Sequence, residues 1–581
     1  MATDGGIHAG SSMETPCWAV RIRRADGEIA GAGILLSPDR VLTCAHVVDR
    51  GARVTAEFVG APGLAVPSVA AWVDGGAYVP ETRDADGDPC GDVALLRLEH
   101  PRPAEETVRL HRLSAPNRSV RMYGFPLDHN GGIFFRATIV GGVGRDGQVQ
   151  LSPRTPGELA SPGCSGAGVV DDLTGEVIGM VLSGLRDRHG NLFSFMSPAE
   201  TIVRHLPAVA RRTWGMTAVD DRLRSTGDDA ADALLDEPFA QRLANWLRDD
   251  GQQVKISLVP VGDATRAATL RRAITLADRE LRTPASVDRA SLDPPDTVPS
   301  AGGHDLAVDA TGLTSAEIAE RVAERMGLWQ HPADPVIERI KAAEVTLTLV
   351  VVGVDEAVDP PALVDLLEVL RAKGSRLLLV FRTAGDSYER AVCELVAIPA
   401  CERRARLVER LKEITGPLAS ELYRRMAIIR AEETRHVDSD LVRAHAALAS
   451  LARAECAAGD AGQGPDLARY EGIAERMAHR MANSIRTLDR LIDRRDELRG
   501  RLKGYHVLHQ RSLHGCSEEG EEDLTVDALY LSAHQLLQAT PCDVRAAEAA
   551  VDAYTAAVDA YMRRIDCQDP ERQGPGGACA S

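Results

Sequence analysis

Three short segments, each centred on a chemically reactive side chain, follow one another in the first third of this chain. They are Thr-Cys-Ala-His-Val-Val at 43–48, Gly-Asp-Val-Ala-Leu-Leu at 91–96 and Gly-Cys-Ser-Gly-Ala-Gly at 163–168. A hairpin pattern leads into His46, and strand-like runs follow both Asp92 and Ser165. Each segment alone recurs by chance, but together they favour an all-β fold that brings three strand ends into one place.

The side chains in these segments suit the transfer of one proton. A serine hydroxyl is a poor nucleophile at neutral pH unless a base takes its proton during the attack. His46 is the candidate base for Ser165, and Asp92 would accept the proton on the opposite imidazole nitrogen and fix the tautomer. Gly163 would let the chain turn so that its amide and that of Ser165 converge on a developing oxyanion.

With these three residues in the order His, Asp, Ser, residues from about 16 to 205 resemble the trypsin-like (chymotrypsin-fold) serine peptidases, which have a two-barrel all-β fold. The resemblance implies His46 as general base, Asp92 as its orienting group and Ser165 as nucleophile. It also implies that Gly163 and Ser165 form the oxyanion hole. The alternative is a pseudo-peptidase kept for binding.

Two departures from the family pattern concern control and specificity. Cys164 stands where many secreted members carry an aspartate that pairs with a cleaved N-terminus. Either control comes from elsewhere in the protein or the peptidase is constitutively formed. The thiol of Cys164 is also a second, less favoured nucleophile. The resemblance implies Leu159 as the floor of the substrate pocket, with Ser183 and Gly184 on its wall. An apolar floor argues against cleavage after Arg or Lys, although the adjacent Glu158 would reverse this after a one-residue misalignment.

Length and charge limit the remaining possibilities. A chain of 581 residues predicts about three domains. The formal net charge of -18 removes a general argument for nucleic-acid binding, since phosphate affinity requires clustered positive charge. We expect neither a membrane span nor a secretion signal, because no stretch of about eighteen uncharged apolar residues occurs.

The cysteines favour a reducing compartment. There are 11 of them, an odd number without a paired framework, which predicts free thiols and a cytoplasmic location. No Cys-x-x-Cys or His-x-x-x-His pair supports a metal site, so we expect neither a metal nor another cofactor. The acidic run at 84–88 is interpreted as a solvated turn rather than a calcium loop.

A second domain is predicted from alternating strands and helices. The peptidase domain is assigned to 1–215, a charged linker to 216–236, and an α/β domain with a parallel sheet to 237–401. Its strand patterns lie at 254–261, 345–352 and 376–381.

The turn after the first of these strands has the spacing of a phosphate-binding loop but lacks its key residues. Gly262 and Thr269 keep the pattern, whereas Ala267 and Ala268 stand where Gly and Lys belong. Together with an acidic strand end at Asp355, this resembles an inactivated domain of the STAND group of signalling ATPases. The alternative is an unrelated α/β domain whose turn contains Gly and Thr by accident.

The last part of the chain is predicted to be helical. Apolar residues recur at three-and-four spacing between 473 and 502, and further helices are predicted at 526–538 and 544–565, with Asp543 as an N-cap. We assign a helical bundle to 402–567 and a disordered tail to 568–581. The bundle resembles adaptor modules of bacterial signalling and conflict systems, which implies a protein partner.

The sequence thus predicts a multidomain chain with an all-β double barrel, a parallel α/β sheet and an all-α bundle. The function that follows is an intracellular serine endopeptidase acting on a protein substrate, regulated or targeted by its C-terminal domains, as an effector of bacterial signalling or defence.

Overall fold

The structure is a computed structural model that describes residues 15–568 except 64, 84–86, 114–115, 127–128, 144–145, 156–161, 187–191, 226–234, 249–250, 284–292, 330–333, 457–466 and 516–523. Leu159, the middle of the predicted linker and nearly all of the predicted tail lie outside the described residues. The chain divides into two compact units, Met1–Ala397 and Ile398–Ser581.

The first strands form a closed barrel. They are β1 (Ala19–Arg23), β2 (Ile29–Ser37), β3 (Arg40–Thr43), β4 (Arg53–Phe58), β5 (Ser68–Val79), β6 (Thr82–Arg83), β7 (Pro89–Cys90) and β8 (Val93–Leu98). The barrel has the strand order β1-β2-β3-β8-β5-β4, and β6 pairs with β7 separately. The predicted hairpin at 33–42 is the β2–β3 pair, with Ile34 opposite Leu42. The interior of the barrel is filled by apolar side chains such as Ile22 and Phe58. Burial of each such side chain stabilises the fold by about 1.5–3 kcal/mol.

A second barrel follows. Its strands are β9 (Leu110–His111), β10 (Ser119–Gly124), β11 (Ile133–Val143), β12 (Gln148–Pro153), β13 (Gly168–Asp171), β14 (Val177–Arg186), β15 (Leu192–Pro198) and β16 (Thr213–Trp214). The order β13-β10-β11-β12-β15-β14 closes because β13 also pairs with β14. Strands β9 and β16 extend the sheet beyond β14 through parallel pairings. The predicted double barrel is therefore confirmed.

A four-stranded parallel sheet completes the first unit. Its strands are β17 (Val254–Leu258), β18 (Leu306–Asp309), β19 (Thr348–Val352) and β20 (Arg376–Phe381), in the spatial order β17-β20-β19-β18. Helices of this unit are α1 (Ala199–His205), α2 (Glu237–Leu247), α3 (Ala264–Ala277), α4 (Ser315–Met326), α5 (Val336–Ala342), α6 (Pro360–Ala372) and α7 (Asp386–Ala391). The predicted parallel sheet is confirmed, but the sequence reading missed β18, whose four residues are too few to show a periodic pattern.

The parallel sheet packs against the second barrel through buried polar contacts. Arg325 on α4 forms an ion pair of 2.7 Å with Glu200 on α1, and both side chains are almost fully buried. Arg112 binds both carboxylate oxygens of Glu280, at 2.7 and 2.9 Å. Val219, within the predicted linker, pairs in parallel with Ala307 of β18. These contacts hold the barrel and the α/β region in one compact unit.

The second unit is helical, as predicted. Its helices are α8 (Ile398–Glu413), α9 (Ala419–Met426), α10 (Val437–Cys456), α11 (Leu467–Gly515), α12 (Leu524–Gln538) and α13 (Val544–Gln568). A common core includes Met477, Leu488 and Tyr554. Asp543 accepts the amide of Ala546 at 3.1 Å, in the capping position expected for it. Among the described helices, none has both the length and the apolar character that crossing a bilayer requires.

Candidate active site

His46 and Asp92 meet at one end of the first barrel. His46 lies in the short 3-10 turn Ala45–Val47 after β3, and Asp92 directly precedes β8, the strand paired with β3. The imidazole Nδ1 is 2.8 Å from Oδ2 of the carboxylate, and the amide of His46 donates to Oδ1 at 2.9 Å. Asp92 is thus held at both oxygens and fixes the orientation of the ring.

The backbone of Asp92 has an unusual conformation. Its φ is 61°, in the left-handed region, and it follows Gly91 with a φ of 81°. For a residue other than glycine this conformation costs roughly 1–3 kcal/mol, and residues held in it cluster at active sites. Here it turns the carboxylate back toward the imidazole just before the chain enters β8.

The environment of the pair favours a protonatable base. The hydrogen bond to Asp92 raises the pKa of His46 above its usual value, partial burial acts in the opposite direction, and the negative charge of Asp92 adds to the rise. The side chain of His46 is 38% exposed and that of Asp92 only 6%. The ring can therefore reach solvent or a substrate, while its carboxylate partner is shielded from water.

The turn that carries Ser165 is fixed against the same strand ends. The carbonyl of Ser165 accepts the amide of Ala32 at 2.7 Å, and the carbonyl of Ala32 accepts the hydroxyl of Thr43 at 2.7 Å. On the other side, the Val181 carbonyl in β14 accepts the amide of Gly166 at 2.8 Å. The same carbonyl accepts the thiol of Cys44, two residues before His46, at 3.2 Å. The serine turn and the histidine turn are thereby joined through one carbonyl.

The hydroxyl of Ser165 is half-buried and has no hydrogen bond to any residue that the structure describes. Catalytic hydrogen bonds are often long without substrate and tighten in the complex. The hydrogen bond between Ser165 and His46 that the triad requires is not formed among the described residues, so the role of Ser165 stays a prediction.

Gly163 has the backbone conformation that its predicted role needs. Its φ is 98°, and a Cβ at this position would lie 2.1 Å from the carbonyl oxygen of Phe125. Only glycine can occupy it without moving the chain. Within the described residues, the amides of Gly163 and Ser165 donate to no protein group. Their assignment to an oxyanion hole stays a prediction.

Two buried cysteines lie next to the candidate residues, Cys164 before Ser165 and Cys44 near His46. Cys164 is 1% exposed, and its thiol packs against Gly124 in the core of the second barrel, so it does not face the site. Cys44 was not singled out from the sequence, although it lies in the same short segment as His46. Burial, followed by the charge of Asp92, raises the pKa of the Cys44 thiol well above its usual value.

Cys44, His46 and Asp92 also have the donor types of a metal site, and their donor atoms lie within 4.8 Å of one another. All three side chains already have protein partners, since Cys44 donates to Val181 and the other two bind each other. The donor atoms of this cluster are therefore engaged with protein groups.

The predicted specificity residues are only partly described. Leu159 and Glu158 lie outside the described residues. Ser183 and Gly184 lie in β14, where the pairing with β15 is irregular between Val181 and Gly184. Their assignment to a substrate pocket stays a prediction.

The turn after β17 contains its own anionic cap. Asp263 accepts the amide of Arg266 at 3.0 Å at the start of α3, and Arg266 pairs with Asp236 at 2.9 Å. The hydroxyl of Thr269 donates to the carbonyl of Thr265 at 2.8 Å. Carboxylates therefore stand at the helix N-terminus that would face a phosphate, and Gly262, Ala267 and Ala268 supply no cationic side chain.

The comparisons with known proteins concern the barrels alone. A profile for the trypsin-like peptidase domain matches residues 31–180. The N-terminal region accordingly contains a trypsin-like peptidase domain, in agreement with the double barrel. No curated protein matches the sequence.

Several solved structures resemble about a third of this chain. The MamO protease domain of Magnetospirillum magneticum is 15% identical, with a TM-score of 0.25, over 33% of this chain and 98% of its own. Rv3671c of M. tuberculosis is 24% identical, with a TM-score of 0.25, over 34% and 88%. Neuropsin, a serine protease of mouse brain, is 16% identical, with a TM-score of 0.27, over 34% and 94%.

Proposed function

We propose that this chain is a serine endopeptidase that hydrolyses peptide bonds through His46, Asp92 and Ser165. The observation that carries the proposal is the doubly held Asp92–His46 pair beside a serine turn tied to it through the carbonyl of Val181. The buried carboxylate and the accessible imidazole are the arrangement that general base catalysis by histidine requires.

In the proposed mechanism, Nε2 of His46 takes the proton of Ser165 as the hydroxyl oxygen attacks the substrate carbonyl. Asp92 stabilises the imidazolium that results, and the amides of Gly163 and Ser165 bind the negative oxygen. His46 then protonates the leaving amine, which yields an acyl-enzyme on Ser165. Water activated by the same imidazole hydrolyses the acyl group and restores the enzyme.

Labelling with a fluorophosphonate probe tests this assignment directly. We expect the full chain to incorporate one label at Ser165, and Ser165→Ala to incorporate none. Ser68→Ala, at the exposed start of β5, is the matched control and should label normally. Label on any residue other than Ser165, identified by mass spectrometry of peptides, would contradict the proposal.

A pseudo-peptidase is the second candidate, because Ser165 has no hydrogen bond to His46 among the described residues. It predicts a folded protein that stays unlabelled even when cell lysate is added. An enzyme awaiting a partner would instead gain label with lysate, and this gain would be lost in Asp92→Asn.

We further propose that the α/β region regulates the peptidase without nucleotide chemistry and that the helical unit binds a protein partner, in a cytoplasmic effector of bacterial signalling or defence. The packing of Arg325 on Glu200 supports regulation, and the Asp263 cap supports the loss of the phosphate site in a STAND-like fold. Equilibrium dialysis with radiolabelled ATP tests the second point, since retention of ATP would refute it.

A further inference from the structure

A cavity of about 660 Å³ lies where the second barrel meets the α/β region, and none of the predicted site residues lines it. Trp214, His111 and Glu176 line it from the barrel, and Trp329 and Glu324 line it from the α/β side. This volume is within the range of small-molecule sites, about 300–1,000 Å³.

Three side chains of the cavity that can accept hydrogen bonds have no charged partner among the described residues. Glu176 and Glu324 form no ion pair with any described residue. His111 is 9% exposed, and its Nδ1 has no hydrogen-bond partner in the described part of the chain. Burial lowers the pKa of His111 to about 4, so that the ring is neutral at pH 7 and does not repel a bound cation.

The two arginines of the cavity are already engaged. Arg339 donates to both carboxylate oxygens of Glu320 at 3.0 Å. The guanidinium of Arg109 lies 4.4 Å from the centre of the Trp214 ring. The protein's own Arg109 thus already places one guanidinium on the Trp214 indole in this cavity. The carboxylates of Glu176 and Glu324 could pair with a second cation, supplied by a ligand.

The aromatic surfaces complete the chemistry of the site. The Trp329 ring stacks on His111 with a centroid distance of 4.8 Å, and Trp214 is 57% exposed. Indole faces attract cations, and a planar guanidinium can stack on a ring while it donates to two carboxylates. A ligand with many donors, a positive charge and a flat head fits this set better than an ammonium, which lacks the plane.

We propose that this cavity binds a guanidinium cation, supplied by free arginine or by an arginine side chain of a peptide. Glu176 and Glu324 are its carboxylate partners, and its stacking surfaces are the ring faces of Trp214 and Trp329 that Arg109 and His111 do not cover. The site is separate from the His46–Asp92 pair, so the proposal does not rest on peptidase activity.

The position of Glu176 suggests what such a ligand would influence. Glu176 directly precedes β14, whose first residue, Val177, pairs with Leu110 of β9. Four residues further along β14, the carbonyl of Val181 holds Gly166 and Cys44. A ligand bound to Glu176 would thus contact the start of β14, the strand whose Val181 carbonyl holds the serine turn.

Isothermal titration calorimetry on the full chain carrying Ser165→Ala tests binding without hydrolysis. The probes are L-arginine, the peptide acetyl-Gly-Arg-Gly-amide and its Lys counterpart. We expect saturable binding that Glu324→Gln weakens roughly tenfold, the scale of one charge-assisted hydrogen bond. Glu338→Gln, on α5 outside the cavity and paired with Lys341, is the matched control and should leave the affinity unchanged.

Each outcome decides a part of the proposal. Binding of arginine and the Arg peptide shows that the guanidinium is sufficient, and binding of the peptide alone shows that the ligand is an arginine within a chain. Equal affinity for the Lys peptide, no saturable binding, or unchanged affinity in both Glu324→Gln and Glu176→Gln would overturn it. Since the variant used in this titration lacks the Ser165 hydroxyl, a failure to bind says nothing about the proposed peptidase activity.

Discussion

Replacement of Arg325 by methionine should destabilise the first unit strongly. The guanidinium donates to Oε1 of Glu200, to the carbonyl of Asp305 and to the carbonyl of Arg112, each at 2.7 Å. The side chains of Arg325 and Glu200 are only 3% and 2% exposed, so Arg325→Met leaves a carboxylate buried without its main counter-charge. Loss of one partner from a buried ion pair costs about 3–5 kcal/mol.

Urea unfolding followed by tryptophan fluorescence measures this loss in the correct unit, because all 5 tryptophans lie within Met1–Ala397. Adding Glu200→Gln to Arg325→Met removes the stranded charge and should recover part of the free energy of unfolding. Lys341→Met breaks an exposed pair with Glu338 and serves as the control, with an expected loss below about 1 kcal/mol.

The pH dependence gives a further check. Burial alone would raise the pKa of Glu200, but the charges of Arg325 and Arg279 outweigh it and hold that pKa below its usual value. A depressed carboxyl pKa stabilises the fold above the unfolded-state pKa, and this contribution is lost as the pH falls through the folded-state value. The effect of Arg325→Met should therefore shrink toward acid pH. An effect equal to that of Lys341→Met at neutral pH would refute the reasoning.

Three further outcomes are expected. Asp92→Asn removes the hydrogen bond that raises the pKa of His46, so the acid limb of the pH profile of kcat/KM should move to lower pH. The value of kcat should fall by roughly 10⁴. Peptide hydrolysis measured from about pH 5 to about pH 9, a range that spans histidine titration, would contradict this if the acid limb did not move. Gly163→Ala places a Cβ 2.1 Å from a backbone oxygen, and should lower the rate of fluorophosphonate labelling by roughly 10²–10³ while the circular dichroism spectrum persists. Brief treatment with iodoacetamide should modify the exposed Cys393 and spare Cys44, whose burial raises its pKa; mass spectrometry showing Cys44 alkylated first would be the opposite result.

Local sequence patterns predicted much of the fold. The hairpin at 33–42 and the strand at 376–381 have the apolar runs and turn residues that specify strands directly. Strand β18 was missed because Leu306–Asp309 has only four residues, and its pairing with β19 and with Val219 is what defines it as a strand. Such pairing depends on tertiary structure, which a short window cannot contain.

The candidate site was predictable to a similar extent. Residue type and order pointed to His46, Asp92 and Ser165, and the left-handed turns at Gly163 and Asp92 are consistent with that reading. The importance of Cys44 and Val181 was not visible, since their hydrogen bond joins positions 137 residues apart. The cavity beside Trp329 could not be predicted either, because its walls come from segments of the first unit that lie far apart in the sequence.

The segment before residue 226 has a consequence for limited proteolysis. The amide of Ala307 donates to the carbonyl of Ala218 at 2.6 Å, and the amide of Asp220 donates to the carbonyl of Ala307 at 3.1 Å. The amide of Asp309 donates to the carboxylate of Asp220 at 2.9 Å. A protease that cuts between 226 and 234 would break the covalent chain but leave this edge intact. The two fragments should migrate together on a sizing column and separate only in denaturant, so cleavage there would not by itself liberate the barrels.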